Sequence, residues 1–123
     1  MAYALRLMRD RFDRLGIVLS GLCAVHCLAT LAAVALLGLG GGVLFEPAIH
    51  RVGLALAIVI GVIGLGLGFA RHTRREPLAL GAAGLSLMAL ALGLGHGPQE
   101  GLLTIAGVAL VASAHWRNVR HLA

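Results

Sequence analysis

Lysine is absent from this 123-residue sequence, and charge of either sign is scarce. Ten arginines and five carboxylates make up 12% of the chain, against roughly a quarter in an ordinary soluble domain. Aromatic residues account for 4%, and there are two cysteines. Each shortage excludes something. Without lysine there is no Gly-x-x-x-x-Gly-Lys loop to cradle a nucleotide. Two cysteines cannot frame a disulfide-stapled secreted miniprotein. Few aromatics, and arginines spread along the chain, argue against nucleic acid as a partner despite a pI of about 11.1. Five carboxylates, most of them flanking apolar runs, offer no hydrolytic constellation, so an enzyme is not expected.

What is abundant is apolar surface. Hydrophobic residues make up 59% of the chain and mean hydropathy is +0.95. Too few polar side chains remain to coat a soluble domain of this size, and disorder is excluded by the same hydrophobicity. The expected fold is all-α, a four-helix integral membrane bundle in one domain. Uncharged runs cover Leu15 to Gly38, Val52 to Ala70, Leu78 to Gly95 and Gly101 to Trp116. A membrane helix needs about 17 to 25 residues, so the fourth run, at 16, is short. Trp116 would anchor it at the interface. The first run is too long for a cleaved signal peptide.

Punctuation refines these limits. Glu46-Pro47 reads as a helix start, moving the second span to 47–70, beside spans at 15–38, 78–95 and 101–116. Residues 1–14 read as a basic interfacial segment on anionic headgroups. Residues 15–118 read as the membrane domain and 119–123 as a tail. With a cytoplasmic N-terminus nine arginines lie inside and only Arg51 outside, so the positive-inside rule places both termini in the cytoplasm. Gly64-x-x-x-Gly68 is a small-residue face suited to packing within the bundle or to a homodimer.

The chemistry gathers in the first span. Ser20, Cys23, His26, Cys27 and Thr30 fall within a stripe roughly 120° wide at helical periodicity. Serine and threonine there can simply bond their own helix, and a buried cysteine is often inert. Cys-x-x-His-Cys is harder to dismiss. Two thiolates and an imidazole on adjacent turns suit zinc, copper(I) or mercury(II), and not magnesium or calcium. Glu46 and His50, one turn apart, form a further ligand pair at the outer end of the second helix. His96 ends the third helix on that side. His72, and His115 with Asn118, lie at the inner end. Depth thus sorts these residues into outer, central and inner groups. Snorkelling to water is the plain alternative for His72 and His96, and His121 falls in the tail.

Leu15-Gly16-Ile17, then Ser20-Gly21-Leu22-Cys23-Ala24-Val25-His26-Cys27-Leu28, Glu46 with His50, and Ala114-His115 with Asn118 together resemble the MerC domain family. The resemblance implies a four-helix protein of the bacterial inner membrane, related to mercuric-ion uptake proteins. It also implies that Cys23 and Cys27 receive the ion. This chain differs in having no cysteine beyond the first span, so a thiol relay has no second station. Mercury(II) is content with two thiolates, whereas mixed Cys, His and Glu donors fit zinc better.

The sequence therefore predicts a transporter of a soft or borderline ion, with Cys23, His26, Cys27, Glu46, His50 and His115 as its ligands. The lipid bilayer and the ion are the expected partners. A membrane metal sensor without transport is the first alternative. A haem protein is the second, although His26 lacks a histidine at equal depth, with His50 and His115 towards opposite faces. A thiol oxidoreductase is disfavoured by a single cysteine pair four residues apart on one helix.

Overall fold

The structure, a computed structural model, describes residues 1–38, 47–95 and 98–120. Four helices make it up: α1 (Ala2–Leu37), α2 (Pro47–His72), α3 (Glu76–Gly93) and α4 (Pro98–Arg120). Each is long and apolar enough to cross a bilayer, and no strand occurs among the described residues. The expected four-helix membrane architecture is what the chain adopts.

The helix limits differ from the uncharged runs, for identifiable reasons. The basic segment 1–14 and the first span form one unbroken helix of 36 residues, about 54 Å long against a hydrocarbon core of about 30 Å. Arg9 and Asp13, read as part of a surface segment, are buried. Helix α4 has 23 residues where the run suggested 16. The run stops at Glu100 and Arg117, but both charges are paired, Glu100 with His50 and Arg117 with Glu76. A paired charge does not end a helix, because backbone hydrogen bonding continues through it.

Helix α1 ends at Gly38, whose left-handed φ of 63° lets its N–H bond back to the Val34 carbonyl at 3.2 Å. Glycine takes that conformation without a Cβ clash. Helix α2 ends on the same geometry at Thr73, with φ 55° and its N–H 2.8 Å from the Phe69 carbonyl.

Packing is closest between α3 and α4, where Gly84 and Gly107 lie against each other. A Cβ on Gly84 would approach the Gly107 carbonyl to 2.6 Å, and one on Gly107 the Gly84 carbonyl to 2.7 Å. Ala57, Met88, Val108 and Val111 form the mid-bundle core, with Leu19, Ala24, Leu54 and Leu85 around them. Large apolar residues such as Val18, Leu22, Val25, Leu28 and Val62 face outwards, as a lipid-facing surface requires. Gly64 and Gly68 point inwards, against Asp13 and Asn118. That small-residue face serves the bundle itself.

Candidate metal centre

Three helices converge on one cluster. His26 and Cys27 come from the middle of α1, and His50 from the first turn of α2. Their ligand atoms all lie within 4.8 Å of one another. Cys27 Sγ is 3.7 Å from His50 Nε2. The His26 and His50 rings meet edge to face, with centroids 5.3 Å apart. A tetrahedral zinc ion with bonds of about 2.0 to 2.3 Å needs only a small inward movement of these atoms.

Helix α4 supplies a fourth group. Glu100 in its first turn brings Oε1 to 2.9 Å from His50 Nδ1. At that distance the carboxylate faces His50 Nδ1 as an ion-pair partner, while Nε2 faces Cys27. Metal-binding histidines are commonly oriented by a carboxylate in this way. Both residues are largely withdrawn from the surface, with side chains 19% and 8% exposed. The interaction is therefore weakly screened.

Cys23 lies one turn before Cys27 and lines a mainly apolar pocket of about 510 Å³. His26, His50, Gly53, Met88 and Thr104 line it too. Gly53 lies beside the Cys23 sulfur, where a Cβ would stand 3.6 Å from Sγ in ordinary van der Waals contact. Both cysteines are free thiols. Cys23 is thus a second sulfur beside the trio and outside its 4.8 Å limit. Thr30 takes the plain role, its hydroxyl bonding the His26 carbonyl at 2.7 Å.

The structure redraws the sorting by depth. His50 was expected nearer the surface than the cysteine motif, yet it packs on His26. The two helices are not level: α1 continues ten residues beyond Cys27, whereas α2 begins three before His50. His26 thus has a histidine at equal depth. Direct ring contact leaves no slot between them for a planar haem. Glu46 and His96 lie outside the described residues.

His115 is placed elsewhere. It is fully buried near the other end of the bundle, with Nδ1 2.7 Å from Asp13 Oδ1. Asn118 joins it, donating from Nδ2 to Asp13 Oδ2 at 2.8 Å and to the Gly64 carbonyl at 3.1 Å. His72 completes this group, with Nε2 2.8 Å from Asn118 Oδ1. Sequence reasoning missed Glu100 and Asp13. Glu100 reads in the sequence as a charge bounding a span and Asp13 as part of the interfacial segment, although each sits beside a histidine on another helix.

The profile of one protein family, described as MerC mercury resistance protein, matches residues 13–120. The matched segment begins at Asp13 and takes in both polar clusters. No curated protein and no solved structure gives a significant match.

Proposed function

The chain belongs to the MerC mercury resistance family, and from that premise we propose that it carries a soft or borderline metal ion, Hg(II) or Zn(II), across the bacterial inner membrane. Copper(I) shares the same donor preference. The observation that carries this reading is the convergence of His26, Cys27 and His50 from two helices, with Glu100 of a third holding the His50 ring. One thiolate and two imidazoles are zinc donors. Cys23, one turn away in the adjoining pocket, supplies the second sulfur that mercury(II) prefers.

Three protein ligands leave a coordination position open towards that pocket, which suits an ion that must leave again. Glu100 acts on the ion through His50, as a positioning residue. Nucleotide-driven movement has no phosphate-binding lysine to draw on, so the ion gradient or the membrane potential supplies the force. Each charge carried is worth about 2.3 kcal/mol per 100 mV.

The test is uptake of Hg(II) and Zn(II) into proteoliposomes containing the wild type or the Cys23→Ser/Cys27→Ser protein. Uptake by the wild type that the double variant loses is the expected result. Equal uptake by both would end the proposal. Stoichiometric binding without flux would leave a metal sensor in its place.

A further inference from the structure

At the Asp13 end of the bundle a groove of about 770 Å³ opens between α1 and α4, outside both polar clusters. Ile17 and Ala112 form its apolar part, with Ser113, Trp116, Arg117 and Arg120 along α4. Those last four residues are all exposed and follow the i, i+3, i+4, i+7 spacing of one helix face. Along that face the chemistry is graded. Alanine and serine come first, then the indole of Trp116, 57% exposed, then two guanidinium groups at the helix end. From Trp116 to Arg120 the helix rises about 6 Å, close to the thickness of one headgroup layer, about 5 to 7 Å. Tryptophan is the residue that membranes place where hydrocarbon meets headgroups.

The cations differ in what they already do. Arg117 is engaged by Glu76 of α3, yet its side chain is 51% exposed and a guanidinium has five donors to give. Arg120 makes no ion pair or hydrogen bond among the described residues. Arg14, exposed on α1 one turn before Ile17, adds a third positive charge on that side. The acidic groups nearby are Glu76 and Asp10, and Asp10 is held by Arg9 at 2.8 Å. Ser113 gives its proton to the Ala109 carbonyl at 2.8 Å, so the arginines are the donors left for an anion. Arginines in a last helical turn suit the helix dipole wherever they stand. Here they also close one end of a groove whose other end is apolar, a combination that matches an anionic head on a hydrocarbon tail.

We propose that the α1–α4 groove binds one anionic phospholipid of the surrounding leaflet. Arg120 and the free edge of Arg117 hold the phosphodiester, Trp116 lies at the glycerol level, and an acyl chain runs past Ala112 and Ile17. Guanidinium groups match phosphate oxygens in geometry and charge, and basic pockets between membrane helices are suited to anionic headgroups. A zwitterionic lipid fits less well, because its own cation would stand among three arginines. A free phosphate would leave the indole and the apolar part of the groove without a role. A second copy of this face would bring like charges together. The bound lipid bridges α1 and α4 at Ile17, beside the packing of His115 on Gly16, and stabilises that packing by mass action. The site needs no metal and stands apart from the transport reading.

Trp116 is the only tryptophan in the chain, which makes its fluorescence a reporter of this groove. The full chain is placed in liposomes of phosphatidylglycerol and phosphatidylcholine with matched acyl chains. One lipid at a time carries brominated chains, and quenching of Trp116 gives their relative occupancy. In the wild type phosphatidylglycerol is preferred about fivefold or more, the scale of one arginine beside an anionic surface. Arg120→Gln brings the preference close to one, whereas Arg120→Lys, which keeps the charge, retains it. Arg74→Gln, at the same end but in the α2–α3 connection, also retains it, as does wild type in millimolar inorganic phosphate at constant ionic strength. Equal quenching by the two lipids, or an unchanged preference in Arg120→Gln, would overturn the site. So would the same loss in Arg120→Lys or in Arg74→Gln. Loss of the preference to inorganic phosphate would overturn it too, by assigning the arginines to a free anion.

Discussion

At the scale of single residues, the proposed metal centre divides into donors and an orienting group. Cys27 and His50 face each other at 3.7 Å, while Glu100 touches the far nitrogen of His50. Glu100→Gln keeps the shape and removes the charge. Zinc affinity, read by competition with a chelating dye, should fall about 10- to 100-fold, as for other carboxylates behind a ligating histidine. Cys27→Ser removes a donor outright and should weaken binding more than Glu100→Gln. Cys23→Ser should affect mercury(II) more than zinc, because the three zinc donors remain in place. A sequence scan isolates Cys23, His26 and Cys27 because they share one helical stripe. It does not isolate Glu100 or Asp13, whose partners lie 50 and 102 positions away.

The helices carry predictions of their own. Thr73 holds a left-handed conformation at the end of α2, which costs a β-branched residue roughly 1 to 2 kcal/mol. Thr73→Gly should therefore stabilise the protein by about 1 kcal/mol, seen as a higher Tm in detergent. Gly107→Ala should do the reverse, since its new methyl would press on the Gly84 carbonyl and on Met88. A loss of about 1 to 3 kcal/mol is expected for such overpacking. The existence of all four helices was readable from uncharged runs of near-membrane length. Their ends were less so, because a run stops at any charge and a helix does not. Glu100 and Arg117 each lie within α4 and each has a partner.

Across the whole molecule, the two polar clusters occupy the same three helices at matched heights. Fourteen residues separate Asp13 from Cys27 on α1, fourteen separate His50 from Gly64 on α2, and fifteen separate Glu100 from His115 on α4. At 1.5 Å per residue the clusters stand about 21 Å apart, with the apolar core of Ala57, Met88, Val108 and Val111 between them. The pocket reaches the first cluster, whereas Asp13, His115 and Asn118 are sealed. Orientation is a separate prediction, from the nine arginines at the Asp13 end. Reporter domains that fluoresce only in the cytoplasm should do so when fused to either terminus.

Scarcity of charge and an excess of apolar residues determined, from the sequence alone, that the chain forms membrane-crossing helices. Periodicity placed Cys23, His26 and Cys27 on one face of the first. Both follow from local rules, the length of a bilayer and the pitch of a helix. Tertiary structure decided which residues on other helices join that face. Relative helix heights brought His50 and Glu100 to Cys27, and glycines at 16, 64 and 68 made room for His115, Asp13 and Asn118. Those choices depend on how unequal helices slide against one another. They are fixed by packing across the bundle, which no single run of residues records.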